Sequence, residues 1–437
     1  MPLPKETSIE SKLLNSTPWA FFLPRLLCYW PFTIRTSTSK GIKQVHARHS
    51  WNYGIWISLT FLFLNITYLT FYGRIKAIAY FNNKSLIAFD VYCIQIWDTI
   101  IMTNEIVMRI YCLLNLNKLQ KFWGLIVDLT GNYFELSSSS QSDDVEKGLK
   151  SINNWAKRWT LCTSPLIIIH MSCILQPYIS GSEIRKDEDA FATVMNVYLE
   201  IVMCFQNASV LFLIYFVKII ILGFKAVSSK IEETIRHHII QREAAVVFSK
   251  KKENGSINLK ITTEMKSGVE WKPTLDLLNK LEEIVENFNQ TFGVNLLVVV
   301  VVVMSQVIFS LFFFYSDPRT GASYTWAMSL ITPLILCPFT LAALCFSASE
   351  LNDKCGRILK QMQGIPVSSL SREDQWSIQL TVTRLSGTGM GIYVDRLFQI
   401  RTALLTSAVS TFATYFIIII QMKTSSQSQK MSQPGIS

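Results

Sequence analysis

The chain has 437 residues, of which 50% are hydrophobic, 12% are aromatic and only 16% are charged. A soluble domain carries roughly 25% charged residues, so this composition excludes most soluble enzymes and favours a membrane protein with several spans. The formal net charge of +10 suits a surface that faces anionic lipid, and we expect no nucleic-acid partner.

Seven apolar stretches reach the length of about 20 residues that spans a bilayer core. They cover residues 52–72, 87–114, 160–179, 193–223, 294–315, 325–348 and 402–421. We therefore predict an all-α membrane protein with seven transmembrane helices. Residues 1–17 are polar and contain no apolar core of a signal peptide, so we expect no cleaved leader.

The orientation follows from the basic residues, because lysine and arginine resist translocation across the membrane. With the N-terminus inside, the four inner segments hold 31 Lys and Arg residues and the four outer segments hold 8. We therefore predict a cytoplasmic N-terminus and an extracellular C-terminus.

This orientation divides the chain into five parts. Residues 1–51 are a cytoplasmic N-terminal segment. Residues 52–348 hold the first six helices, with a ligand-binding outer half and the cytoplasmic loops 115–159 and 224–293. Residues 349–401 form cytoplasmic anchor helices, residues 402–421 form the seventh helix, and residues 422–437 form an extracellular tail.

Three cytoplasmic segments have the pattern of amphipathic helices. Between Trp271 and Phe292, apolar residues recur every three or four positions and charged residues fill the others, so we predict one helix that continues into span five. Glu350–Gln363 similarly continues span six, and Arg372–Leu385 forms a helix ahead of span seven. Together they predict a packed helical anchor domain. The glycines of SGTGMG, from Ser386 to Gly391, indicate a flexible break after that helix.

The outer segments contain none of the nine cysteines, so no disulfide framework is expected there. Cys93 and Cys173 lie toward outer helix ends, and whether they pair stays open. Asn83 in NKS is the only glycosylation sequon in an outer loop, and its use is also open.

Ionisable and aromatic residues inside the spans are candidates for a binding site. Glu105 and Arg109 are four residues apart and can neutralise each other, which favours a structural pair. Other such groups collect toward the outer ends of spans two to six. These candidates are Asp90, Gln95, Trp97, Asp98, His170, Gln176, Asn196, Tyr198, Glu200, Gln306, Ser310, Tyr315, Tyr324, Trp326 and Thr332.

Catalytic patterns are absent from the sequence: it has no HExxH, no Cys/His metal spacing, no GxSxG and no Walker loop. We expect no enzymatic activity, no cofactor and no metal site.

The last span carries a short motif. In TYFIIIIQ, Thr414 and Tyr415 are followed by five hydrophobic residues, Phe416 to Ile420, and then by Gln421. This stretch resembles the signature of the insect gustatory receptor family, in which Phe usually follows the Gln; here Met422 stands in its place. Seven spans, an inner N-terminus and short outer loops agree with that family over the whole chain.

The resemblance implies a tetrameric, ligand-gated, non-selective cation channel in the plasma membrane of sensory neurons. Four copies of helix seven would surround the pore, and the outer half of spans two to six would bind a tastant such as a sugar or bitter compound. The implied partners are therefore the tastant, monovalent and divalent cations, membrane lipid, and either identical or related subunits. The pore and gate residues would be Thr414, Tyr415, Ile417, Ile418, Gln421 and Met422.

The chemistry of these residues suits a pore. Four isoleucine-rich helix ends form a constriction too apolar to wet, and a ring of Gln421 amides offers oxygen atoms to a passing cation. We expect Thr414 and Tyr415 to find partners in a neighbouring helix and to orient the helix rather than line the pore. Lys423 either places positive charge at the mouth or turns away from it.

Three alternatives stay open. An insect odorant receptor has the same architecture and a volatile ligand, although Thr-Tyr with a terminal Gln favours the taste family. A seven-span receptor coupled to G proteins needs an outer N-terminus, which the distribution of basic residues opposes. A transporter would show steady substrate uptake without channel current.

Overall fold

The computed structural model describes residues 32–39, 42–49, 114–136, 139–179, 209–237, 271–316, 324–365, 370–395 and 397–431. It also describes residues 239 and 240 and scattered positions between 13 and 111. Predicted spans one and two, 52–72 and 87–114, thus lie largely outside the described residues, although their described positions are helical.

Two short hairpins depart from the all-α fold that we predicted. Strand β1 (Phe32–Ser39) pairs antiparallel with β2 (Ile42–His49), with Phe32 opposite His49. The Thr and Ile residues of FTIRTSTS are branched at Cβ, which favours extended backbone. A smaller hairpin joins β3 (Tyr393–Val394) to β4 (Phe398–Gln399).

Seven long helices form most of the described chain. They are α1 (Leu116–Leu136), α2 (Ser139–Ile179), α3 (Ser209–His237), α4 (Lys272–Ser316), α5 (Tyr324–Gln363), α6 (Arg372–Thr388) and α7 (Ala403–Met431).

Among the described residues, four helices contain a stretch long and apolar enough to cross a membrane: Ser209–His237, Lys272–Tyr315, Leu330–Gln363 and Ala403–Ser425. They correspond to predicted spans four to seven, with span four described from Ser209 onward. Predicted span three, 160–179, is the second half of α2; it is helical throughout but is not one of these four.

Helices α4 and α5 are much longer than a membrane is thick. They have 45 and 40 residues, so they extend about 68 Å and 60 Å, roughly twice the ~30 Å hydrocarbon core. The short connection 317–323 makes them antiparallel neighbours, so both project from the same end of the bundle. We call that end, with Lys272 and Gln363, the anchor end, and the end with Ser316 and Tyr324 the outer end.

The projecting part of α4 confirms the predicted amphipathic helix. The apolar residues of its stripe are all buried: Leu275, Leu278, Leu281, Val285, Phe288 and Phe292. Phe292 lies 5.4 Å from Phe122 of α1 and 5.7 Å from Phe216 of α3, measured between ring centroids. This aromatic cluster joins three helices into one core.

Helix α6 has well-formed ends. The Ser371 hydroxyl caps its start by accepting from the Asp374 N–H at 3.1 Å, and Glu373 and Asp374 favour the positive end of the helix dipole. Arg384 ties α6 to α4 through an ion pair of 2.8 Å with Glu282. The predicted helix ahead of span seven is therefore confirmed.

Candidate functional site

Helix α7 is the least buried of the four apolar helices. Only 6% of its most apolar stretch is buried within the chain, against 56% to 78% for the other three. Ile417 is 54% exposed, Ile418 is 41% exposed and Met422 is 52% exposed. The exposed residues also include Thr414, Tyr415 and Gln421. The chain by itself thus leaves a long apolar helix face uncovered, and the predicted pore and gate residues all lie among the exposed positions of α7.

The opposite face of α7 packs against its own chain. Ala408 is buried, and Phe412, Phe416, Ile419 and Lys423 are half-buried. These positions are three or four residues apart, so they form a single stripe along the helix. We call this stripe the inner face of α7.

The hydroxyl of Thr414 is satisfied within α7. It donates to the Ser410 carbonyl at 2.9 Å, so it does not need the neighbouring helix that we expected for it. Thr411 and Thr424 donate to the carbonyls of Ser407 and Ile420 in the same way. Such bonds let hydroxyl side chains lie in an apolar environment at little cost.

A clamp on α4 holds the turn that precedes α7. The Asn289 side chain donates to the Gly391 carbonyl at 2.9 Å and accepts from the Tyr393 N–H at 3.0 Å. Beside this clamp, Ile392 and Val394 are fully buried. The turn is therefore bound to α4 by both polar and apolar contacts.

A second set of contacts binds the same region to α5. Gln399 donates to the Asn352 side-chain oxygen at 2.7 Å. The Thr402 N–H, just before α7, donates to the Ser349 hydroxyl at 2.9 Å. The base of α7 is therefore bonded to both α4 and α5, the two helices that project from the anchor end.

Two of the three glycines of SGTGMG, Gly389 and Gly391, have structural roles in place of the flexible break we predicted. Gly389 ends α6 with φ +53°, a left-handed conformation that suits glycine. Gly391 is buried, and a Cβ there would overlap the Gln399 amide nitrogen and the Asn352 side-chain oxygen. The stretch is thus a packed turn.

The outer part of α7 contacts the outer end of α4. The rings of Tyr315 and Phe416 lie 6.1 Å apart in an edge-to-face arrangement. The Lys423 ammonium lies 5.5 Å from the centroid of the Phe312 ring, within cation–π distance. Of the two orientations left open for Lys423, the structure has the one directed away from the exposed face.

The same end of α4 carries an aromatic cluster, formed by Phe309, Phe312 and Phe313 together with Cys93 and Leu330. The partly buried residues Trp97, Ile100 and Ile419 pack against it. Since Ile419 belongs to the inner face of α7, this cluster joins span two to α7 through α4. We call it the outer aromatic cluster.

Two polar groups are buried in or beside this cluster. Trp97 stacks on Phe309 and Phe313 at 6.3 Å and 5.7 Å. Its indole N–H and the hydroxyl of Ser310, which follows Phe309, have no hydrogen-bond partner among the described residues. Buried polar groups normally have partners, and aromatic walls with a few polar groups are typical of small-molecule pockets.

The remaining described candidates have other positions. Gln306 accepts from the Cys337 thiol at 2.8 Å and so links α4 to α5. Thr332 donates to the Met328 carbonyl at 3.0 Å within α5. His170 is buried on α2. Gln306 and Thr332 thus have structural bonds, whereas Trp97 packs on the outer aromatic cluster and Ser310 follows Phe309 of that cluster in sequence.

Several predictions lie outside the described part of the chain: Asn83, Asp90, Gln95, Asp98, Glu105, Arg109, Asn196, Tyr198 and Glu200. Gln176 lies in α2, and Tyr324 and Trp326 lie at the start of α5. Cys93 and Cys173 are both described and are not joined by a disulfide. Within the described ranges, no three His, Cys, Asp or Glu side chains form a group that could hold a metal ion.

Sequence reasoning missed the residues that connect α7 to the bundle. Asn289 and Asn352 have no local pattern that marks them as clamps, because their partners are 104 and 47 residues away in sequence. The glycines were noticed but were assigned to flexibility. Phe312 was missed because it lies in a run of aromatic residues without any distinguishing neighbour.

Comparison with known proteins supplies a family. The chain matches the family described as 7tm chemosensory receptor over residues 26–426. A search among curated proteins found no match.

The fold also resembles solved structures. The structure of the insect olfactory receptor OR5 from Machilis hrabei has a TM-score of 0.68 and 14% sequence identity, and the match covers 95% of this chain and 100% of that chain. The same receptor in complex with eugenol has a TM-score of 0.65 and 14% identity, with 94% and 100% covered. At this identity the likeness establishes the fold of the chain.

Proposed function

The chain belongs to the 7tm chemosensory receptor family, and on that premise we propose that it is a gustatory receptor that acts as a tastant-gated, non-selective cation channel. The observation that carries the proposal is the nearly bare helix α7, only 6% buried in its most apolar stretch. A helix of this kind must be covered by lipid, by other subunits or by both.

Four subunits assembled around an axis would cover much of this face and leave a pore between the α7 helices. Ile417 and Ile418 would then form the constriction, because a ring of isoleucines keeps a narrow passage dry. Gln421 would line the outer mouth with amide oxygens. Thr414, Tyr415 and Met422 would complete the pore and gate region, and the subunits would be identical or related chains.

The proposed ligand site is the outer half of the subunit, next to the outer aromatic cluster. Trp97 and Ser310 offer a buried N–H and a buried hydroxyl beside aromatic rings, which suits a small molecule with a polar group. Asp98 follows Trp97 in sequence, and the other candidates of spans two to six remain part of this proposed site.

The outer aromatic cluster also offers a path from ligand to gate. Ile419 on the inner face of α7 packs on the cluster that Trp97 also touches. A ligand that displaces Trp97 would therefore change the packing of α7, provided that it binds the open and closed states with different affinity. At the anchor end, the clamps of Asn289 and Asn352 would hold the base of α7 while its outer part moves.

Current recording tests the proposal. The full chain is expressed alone and together with related receptors, and whole-cell current is measured across sugars and bitter compounds, normalised to surface-labelled protein. We expect a ligand-evoked current that reverses near 0 mV and carries both Na⁺ and Ca²⁺. Steady uptake of a substrate without current, or no response from protein that reaches the surface, would contradict it.

An odorant-gated channel is the second candidate, and the likeness to an insect olfactory receptor solved with the small molecule eugenol supports it. The same recordings distinguish the two, because volatile compounds are added to the panel. If volatile compounds evoke current at concentrations at which sugars and bitter compounds evoke none, the chain is an odorant-gated channel.

A further inference from the structure

A cavity of about 860 Å³ lies toward the anchor end, away from the outer aromatic cluster. Its walls come from four helices: α2 between Val145 and Arg158, α3 between Lys218 and Lys230, the start of α4, and Glu350 of α5. We call it the anchor cavity. It is part of neither the proposed pore nor the proposed tastant site.

The lining of the anchor cavity is strongly basic. Its charged residues are Lys147, Lys150, Arg158, Lys218, Lys225, Lys230 and Glu350. Six basic groups and one acidic group give the lining a net charge of +5. An excess of basic residues on the cytoplasmic side is ordinary, but their convergence on one cavity from α2 and α3 is not explained by that rule.

Local acids neutralise only part of this charge. Lys150 pairs with Glu146 at 2.8 Å, Lys225 pairs with Glu350 at 3.1 Å, and Lys230 pairs with Glu233 at 3.1 Å. These pairs are exposed, and such pairs are weak enough to exchange for a stronger anion.

Two further basic residues line the cavity: Arg158 is exposed, and the Glu350 carboxylate acts on Lys218 at a longer range than an ion pair. Arg158 and Lys218 form no ion pair among the described residues. Lys218 is half-buried, and its ammonium lies 5.0 Å from the Trp155 ring centroid. A cation held partly out of water against an aromatic ring gains more from an incoming anion than an exposed lysine does.

The cavity also has an apolar side, to which Ile152, Trp155, Ile221 and Leu222 contribute. Predicted span three begins at residue 160 and predicted span four ends at residue 223, so Arg158 and Lys225 flank the expected inner membrane boundary. A half-open cavity there, with basic and apolar walls, matches an amphiphile whose polar part is anionic.

We propose that the anchor cavity binds a phosphate-bearing anionic headgroup, with Arg158 and Lys218 as its main ligands. The planar guanidinium of Arg158 pairs with two phosphate oxygens at once, and Lys218 adds a point charge. Because the cavity wall includes α2, α3, α4 and α5, an occupant would brace the anchor end against relative motion of these helices.

The test uses the purified full chain in phosphatidylcholine nanodiscs and two probes. One probe is the soluble inositol 1,4,5-trisphosphate, and the other is phosphatidylinositol 4,5-bisphosphate included in the nanodisc. Binding is measured by isothermal titration for the first probe and by native mass spectrometry for the second. Neither measurement depends on channel activity, so failure of the proposed function would not affect it.

The matched variants are Arg158→Gln and Lys157→Gln. Lys157 is the preceding residue on α2; it is exposed and does not line the cavity. Loss of the Arg158 charge should weaken binding about tenfold or more, because charge-assisted hydrogen bonds are strong, whereas Lys157→Gln should change it less than about twofold. Arg158→Lys should restore part of the affinity. If Arg158→Gln does not elute as a folded protein, Lys218→Gln takes its place against the same control.

The outcomes also identify the source of the headgroup. Binding of the lipid alone assigns the site to membrane lipid, and equal binding of both probes assigns it to the headgroup itself; both results support the proposal. The proposal is overturned if the wild-type chain binds neither probe. Equal losses of affinity for Arg158→Gln and Lys157→Gln would overturn it as well, because the attraction would then belong to the whole cytoplasmic surface.

Discussion

Lys423 shows how one tertiary contact changes the role that the sequence suggests for a residue. In sequence it directly follows the Gln421–Met422 end of the motif, where a positive charge would oppose cation entry. In the fold its ammonium lies over the Phe312 ring of α4, on the inner face of α7. The residue is therefore placed to couple α7 to α4.

This contact gives a prediction at the residue scale. Lys423→Gln should leave single-channel conductance unchanged and shift the half-maximal ligand concentration about two- to fivefold, since a partly exposed cation–π contact contributes about 0.5–1 kcal/mol. Phe312→Leu should shift it similarly. The double variant should show less than the sum of the two shifts, because each change removes the same contact.

Ligand titrations and single-channel recordings of the four proteins complete this cycle. A rise in conductance in Lys423→Gln would instead place the lysine at the pore mouth. Additive shifts would show that the two residues act separately.

A second prediction concerns the packed turn before α7. Gly391→Ala should lower the free energy of unfolding by about 1–3 kcal/mol, because its Cβ overlaps the Gln399 and Asn352 side chains. Gly387→Ala is the matched control: Gly387 lies in α6 and a Cβ there meets nothing within 4 Å, so alanine should be neutral or mildly stabilising. The apparent melting temperature of each purified protein measures the difference. If Gly391→Ala and Gly387→Ala have the same melting temperature, the turn around Gly391 is loosely packed.

A third prediction tests the outer aromatic cluster as part of the ligand site. Trp97→Phe keeps an aromatic ring on Phe309 and Phe313 but removes the buried N–H, and Ser310→Ala removes the buried hydroxyl. If a ligand bonds these groups, the half-maximal concentration should rise about three- to tenfold with little change in basal current. Thr340→Ala is the control, because Thr340 is not a candidate of the proposed site and its hydroxyl donates to the Cys337 carbonyl within α5 at 2.8 Å. If the dose–response curves of both variants coincide with that of the wild type, the Trp97 N–H and the Ser310 hydroxyl do not bind the ligand.

At the scale of the element, α7 has two faces with different requirements. Its exposed face carries Ile417 and Ile418, and its inner face carries Phe416 and Ile419. Adjacent residues of a helix differ in direction by about 100°, so neighbouring isoleucines of the same run have different surroundings. Burial therefore separates the isoleucines that pack on the rest of the chain from those that would face the proposed pore.

The fourth prediction uses that difference. Ile418→Ser should raise the current measured without ligand, because a polar side chain hydrates an apolar constriction. Ile419→Ser should instead lower surface expression or ligand response, since it places a hydroxyl against the outer aromatic cluster. Whole-cell current normalised to surface-labelled protein separates the two effects. If neither Ile417→Ser nor Ile418→Ser changes basal current or selectivity, α7 does not line the pore.

At the scale of the whole molecule, the anchor end joins the described parts of the chain. Lys280 of α4 pairs with Asp128 of α1 at 3.0 Å, and Lys225 of α3 pairs with Glu350 of α5 at 3.1 Å. The aromatic core around Phe122 and Phe288 lies in the same half of the molecule. The division of the chain into domains, with residues 349–401 in the anchor, stays a proposal.

The fifth prediction concerns the orientation of the whole chain. An epitope tag at the C-terminus should be stained on intact cells, and a tag at the N-terminus should be stained only after permeabilisation, because the predicted inner segments hold 31 of the basic residues and the outer segments 8. The reverse pattern would exclude the proposed channel topology and would favour a receptor coupled to G proteins.

Much of the helical body could be predicted from the sequence, because apolar runs and helical periodicity are local properties. Spans four to seven and the continuation of α4 and α5 beyond the membrane were read from composition and from the spacing of residues such as Leu278 and Phe288. The pore-lining role of the residues around Gln421 stays a prediction. The N-terminal hairpin was missed because residues 1–51 were assigned only as a cytoplasmic segment, and the three Thr and one Ile of FTIRTSTS are a weak signal for a strand.

The sequence by itself determined the membrane class, the long helices and the charge distribution, since each depends on neighbouring residues only. Only the tertiary structure decided the direction of Lys423, the packed turn at Gly391 and the bond between Gln306 and Cys337. It also brought Arg158 and Lys218 to one cavity, although they lie on different helices and are far apart in sequence. The physical reason is the same in each case: these features depend on which helices pack together, and periodicity along one helix carries no information about its partner.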